Sequence, residues 1–136
     1  MADQPPNGDA KSLFSTLRTD PKKADDGVWI EHPETGDSFL CRRLWCPAHA
    51  RAYLEAQAAW EQKRTKKPET EDEIREVYAL SLAAGLVKDW KLKGSDRAYD
   101  KSIMAAALAD PELRDLVKWI ELETVGRARF RPDLGN

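Results

Sequence analysis

The sequence predicts a mainly α protein, a small helical domain of about four helices with an N-terminal β-hairpin. Three observations carry that prediction. Apolar residues recur at helical spacing along most of residues 47–125. Helix-start residues stand at the head of these stretches. β-Branched and aromatic residues concentrate in residues 28–43, around a turn that contains Pro and Gly. At 136 residues the chain suits one domain with one core.

Residues 1–26 are rich in Asp, Pro, Lys and Gly and read as a flexible arm. Leu13, Phe14 and Leu17 form its one apolar patch, either a frayed end or a short helix that docks on a partner. Val28, Trp29 and Ile30 begin the ordered domain, residues 27–130, as a strand. His32-Pro33-Glu34-Thr35-Gly36-Asp37 is turn chemistry, in which Pro fixes φ and Gly permits a positive φ. Residues 38–43 return as the second strand. A lone hairpin is marginal in water, so it has to pack on the helices.

Cys46-Pro47 opens a helix over about 47–64, with Pro in the tolerated first position. Tyr53, Ala56 and Trp60 share a face with Leu54 beside them, while Arg51, Glu55 and Glu61 lie opposite. Lys63 to Pro68 make a basic, Pro-stopped linker. Thr70 and Glu73 form a capping box, and the acids at 71–73 sit at the positive end of the dipole. The stripe Ile74, Val77, Tyr78, Ser81, Leu82, Gly85, Leu86 and Trp90 predicts one long helix over about 70–92, closed by Gly94. Leu80 and Val87 add apolar side chains elsewhere on it, so contact on more than one side is expected, which makes this the core helix. Ile103, Met104, Ala107 and Leu108 mark a helix over about 100–109. Asp110-Pro111 starts the last, over about 111–125, lined by Leu113, Leu116, Val117, Ile120 and Thr124. Residues 127–136 read as a basic tail.

Charged residues make up 34% and the hydrophobic set 41%, a soluble globular composition. A formal net charge of -2 gives no case for wrapping a polyanion, because phosphate contacts dominate nucleic-acid affinity. Arg127, Arg129 and Arg131 around Phe130 read as a solvated tail or contacts to an acidic partner before they read as a nucleic-acid surface. No run approaches the roughly 20 apolar residues of a membrane span, and the first residues lack a signal-peptide layout. Two cysteines then suggest free thiols in a reducing cytoplasm.

Every Cys and His falls in one short segment: His32, Cys41, Cys46 and His49. Two imidazoles and two thiolates suit tetrahedral zinc, but the spacing matches no zinc signature and CxxC is absent, so no cofactor is expected. The plain alternative is a half-buried thiol, a surface His and a capping region. Cys46 and His49 are close in sequence, yet no orienting acid or oxyanion-hole element is readable, and no phosphate loop matches. The chain is therefore expected not to be an enzyme.

Val87-Lys88-Asp89-Trp90, then Tyr99, then Leu108-Ala109-Asp110-Pro111-Glu112-Leu113 resemble the tail assembly chaperones of long-tailed bacteriophages. The likeness covers about residues 27–130 and lies in the order and spacing of weak motifs, with Arg42-Arg43 leading from a hairpin into a helix. The resemblance implies a non-enzymatic protein that binds and solubilises the helical tape-measure protein. It also implies recruitment of the major tail-tube protein in the host cell cytoplasm and absence from the mature virion; self-association is left open. A helical binder of that kind needs spare aromatic surface, sought at Tyr53, Trp60, Trp90 and Trp119, although each also reads as a core aromatic. The alternative class is a small zinc-stabilised or helical nucleic-acid-binding regulatory protein.

Overall fold

Local signals at the N-terminal side build more structure than an arm. The computed structural model describes residues 14–133, so Leu13 and the residues before it lie outside the described residues. Ser15–Leu17 form a 3-10 turn, with Phe14 and Leu17 exposed. Asp20 then caps helix α1 (Pro21–Asp26), its carboxylate accepting from the Lys22 N–H at 2.9 Å. Where the expected arm reached residue 26, this helix is tied into the domain. The Asp20 N–H donates to the Phe130 carbonyl at 2.7 Å, the Arg43 N–H donates to the Ala24 carbonyl at 3.0 Å, and Ala24 is buried. The Asp, Pro and Lys that look like solvating residues serve instead as cap, first-turn residue and outer face of a one-sided helix.

The hairpin folds as its turn chemistry dictates. β1 (Val28–Glu31) pairs antiparallel with β2 (Ser38–Cys41), with Val28 opposite Cys41 and Glu31 opposite Ser38. The His32 N–H donates to the Asp37 carbonyl at 2.7 Å, and Gly36 takes the positive φ of 78° that the turn needs. Ile30, Phe39 and Cys41 point inward, and Trp29 points out.

Helices α2 (Pro47–Arg64) and α3 (Glu71–Gly85) follow, packed against each other. The capping box at Thr70 and Glu73 is present in full, and Glu73, accepting from the Glu69 and Thr70 N–H groups, is held down to a pKa of about 2. The single helix expected over 70–92 does not form. α3 stops at Gly85, and Val87–Lys91 form β3, a third strand antiparallel to β2 in a sheet of order β1-β2-β3. Arg42 receives the end of the helix: its N–H donates to the Leu86 carbonyl at 2.9 Å and its Nη1 to the Gly85 carbonyl at 3.1 Å. Those carbonyls would otherwise be orphans of the helix terminus. Gly94, with a φ of 77°, turns the chain after β3 and is no helix cap.

α4 (Lys101–Ala109) is capped by Asp100, which accepts from the Ser102 and Ile103 N–H groups. Asp110 caps a 3-10 turn (Pro111–Leu113) that runs into α5 (Arg114–Val125). The chain is thus mostly helical with a small three-stranded antiparallel sheet. The core lies between the sheet and the helices, around Ile30, Phe39, Leu82, Leu86, Met104 and Ile120. The expected tail is partly structured too. Ala128–Phe130 form a 3-10 turn, Phe130 is fully buried, and Arg129 pairs with Glu123. Among the described residues no helix is long and apolar enough to cross a membrane.

Candidate functional site

The four residues considered for zinc do not converge. His32 lies in the hairpin turn, where Nδ1 accepts from the Glu34 and Thr35 N–H groups and the ring meets Trp119 at 4.6 Å. Cys41 is sealed in the core, and burial pushes its thiol up to about 12. Cys46 is the buried N-cap of α2, and both thiols are free. Among the described residues no three His, Cys, Asp or Glu side chains are placed to hold a metal ion.

His49 serves a structural purpose. It is fully buried, and the Trp45 N–H donates to its Nδ1 at 3.0 Å. The proton then sits on Nε2, which faces Ser81 Oγ at 3.2 Å, and that hydroxyl donates to the Tyr78 carbonyl at 2.6 Å. Burial lowers the imidazole to a pKa of about 4 from 6.5. Between those values the unfolded chain binds more protons than the folded one, so acidification favours unfolding. Stability is expected to hold above about pH 6.5 and to fall towards pH 4, by at most about 3 kcal/mol. Glu73 adds a separate loss only below its ordinary value of 4.5. Urea titrations at pH 7 and pH 5 check this, and His49→Gln should flatten the difference between them.

The four aromatics sought as partner surface divide between core and half-buried positions. Trp60 and Trp90 are buried, and Tyr53 and Trp119 are half-buried. Trp90 is a structural residue: its Nε1 donates to the Arg97 carbonyl at 2.8 Å and its ring meets Tyr99 edge-on at 4.9 Å. Tyr99 in turn donates to the Ala83 carbonyl at 2.8 Å. The Trp and Tyr of the sequence pattern therefore anchor the loop between β3 and α4. The exposed indoles are Trp29 (40%) and Trp45 (50%). Lys91 covers Trp29 at 4.5 Å, and Trp29 lies on the outer face of the sheet. Trp45 has a left-handed backbone, φ 61°, and its ring packs on His49 at 4.4 Å and Tyr53 at 5.4 Å. A bulky residue seldom adopts that φ, and the signal for it is invisible in a linear pattern.

The surface best shaped for a partner is a groove across α2, α3 and α4. Two adjoining hollows, about 440 and 530 Å³, share Glu76, Leu80, Ser102 and Ala105. Alanines make its surface: Ala56 and Ala59 from α2, Ala84 from α3, Ala106 and Ala109 from α4. Leu80 is 43% exposed between them. Small side chains at i, i+3 and i+4 positions keep the groove shallow and apolar, while Asp72, Arg75, Glu76, Lys63, Arg64 and Lys101 form a charged rim. Trp60 also lines the groove, 4% exposed, and its indole N–H has no acceptor. Arg64 lies over the ring, its guanidinium carbon 3.4 Å from the centroid, and reaches Glu76 at 3.7 Å. An open apolar groove with a charged rim suits binding. Comparison of the chain with protein-family models, with curated proteins and with solved structures finds no match.

Proposed function

We propose that this protein is a non-enzymatic assembly chaperone that holds a long helical partner soluble until a polymerising structure encloses it. In the terms of the resemblance, the partner is the tape-measure protein of a phage tail, tail-tube subunits are recruited to the complex, and the work is done in the host cytoplasm before the virion is complete. The observation that carries the reading is the alanine-surfaced groove across α2, α3 and α4, wide enough to span three helices and rimmed by charge. An amphipathic helix buries its apolar stripe in such a groove. The exposed indole of Trp45 supplies a second apolar contact of the kind enriched at interfaces.

Co-expression tests the proposal. A phage tape-measure protein made together with this chain should move from the insoluble to the soluble fraction, and should co-purify with it. Insolubility of that protein at any ratio of the two chains would overturn the proposal.

A further inference from the structure

We infer that the groove takes a small-residue-faced amphipathic helix that carries a carboxylate, whose oxygens receive the Trp60 indole N–H and the Arg64 guanidinium. The inference rests on the binding role proposed above and names the chemistry of the occupant.

Five observations converge. The alanine surface admits the backbone of a helix at close range, because interaxial distance is set by the side chains at the contact. The Trp60 donor is buried and unsatisfied, and a buried polar group without a partner is rare in native proteins. Arg64 stacks directly on that indole, so a cation and an unused donor stand side by side. Its contact with Glu76, at 3.7 Å, is longer than a charge-assisted hydrogen bond, which leaves the guanidinium free to turn towards a better acceptor. The surroundings favour an anion. Lys63 and Lys101 on the rim make no ion pair among the described residues, against Glu55 and the Glu76 already engaged by Arg64. An amide carbonyl would satisfy the indole alone. A carboxylate satisfies the indole and the guanidinium together, since it offers two oxygens. Entry requires Arg64 to swing off the ring, which its exposed position permits.

The test uses the full chain, isotope-labelled, and two blocked alanine-rich peptides of about 20 residues, long enough to form helix alone. One peptide has a single Glu in the middle of its apolar face and the other has Gln there. Trp60→Phe keeps the ring, removes the donor and identifies the Trp60 indole resonance by its loss. The Glu peptide should shift that resonance and should bind about tenfold more tightly than the Gln peptide, with the advantage shrinking as salt rises. Trp60→Phe and Arg64→Gln, each folded by circular dichroism, should each bind the Glu peptide about tenfold more weakly. An unmoved indole resonance, equal affinity for the two peptides, undiminished binding by both variants, or no binding of either peptide would overturn the inference. So would a Trp60 resonance that moves with protein concentration alone, which would assign the groove to a second copy of the chain. Peptide failure with co-purification of the tape-measure protein intact removes only the carboxylate chemistry; the reverse result removes only the partner's identity.

Discussion

Phe130→Ala is expected to destabilise the protein by about 3–5 kcal/mol, the range for removing a fully buried aromatic. The side chain has no solvent exposure, and its backbone holds the N-terminal segment: the Phe130 carbonyl accepts from Asp20 and its N–H donates to Arg127. Lys23 reinforces the same junction by donating to the Arg131 carbonyl at 2.9 Å and pairing with Asp133 at 2.6 Å. The exposed ion pair contributes little by itself. The effect therefore comes from the ring, which is fully buried in the Ala128–Phe130 turn. Denaturant titration measures it as a lower midpoint. A shift corresponding to less than about 1 kcal/mol would place Phe130 in a solvated tail, where a substitution costs little.

Gly85→Ala is expected to cost about 3 kcal/mol, the upper part of the range for overpacking. In an open helix the same change would stabilise by up to about 1 kcal/mol, so the sign itself is diagnostic. A Cβ built on Gly85 would stand 2.5 Å from the Ala52 Cβ, 2.9 Å from the Ala48 carbonyl oxygen and 2.9 Å from the His49 Cα. None of these is the end of a flexible side chain. α2 and α3 would have to move apart, which would disturb both the His49–Ser81 bond and the groove those helices share with α4. Thermal unfolding should show a fall in Tm together with weaker partner capture. A neutral or raised Tm would mean that the two helices are not in close contact at this point.

The parts of the fold that were legible in the sequence are those set by local chemistry. Pro47 at the start of α2, the Thr70–Glu73 box, the Asp110-Pro111 pair and the Gly36 turn all act over a few residues and appear where their chemistry dictates. β3 was hidden for a physical reason. Its pairing with β2 is irregular between Leu40 and Cys41, so that Leu40 faces Asp89 while Cys41 faces Val87. The bulge breaks the two-residue alternation and leaves Val87 and Trp90 buried with Lys88 and Asp89 outside. That spacing of three continues the helical stripe of Leu82 and Leu86, and periodicity alone cannot separate the two. The break comes instead from Arg42, 43 residues away in sequence from the Gly85 carbonyl it takes.

The candidate site was legible only in part. Trp60 was singled out as an aromatic on the right face of α2, but whether an indole on an amphipathic face is core or surface depends on what packs over it, and here Arg64 does. The exposure of Trp45 and Trp29 is not legible in a linear pattern, because one sits in a left-handed turn and the other on the outer face of a strand. Of the alanines of α2 and α4, the linear pattern marks only Ala56 and Ala107 as face residues. Their meaning as a groove arises only when three helices are laid side by side.

The most direct measurement is capture of the proposed partner, a phage tape-measure protein, by a variant whose groove is filled and whose fold is kept. Ala59 and Ala106 are exposed on helices, so Ala59→Glu with Ala106→Glu adds bulk and negative charge to the groove at little cost to stability. With circular dichroism and Tm unchanged, the natural chain should bring the partner into the soluble fraction while the double variant leaves it insoluble. Equal capture by both would contradict the account, because the helical partner would then be held somewhere other than the groove.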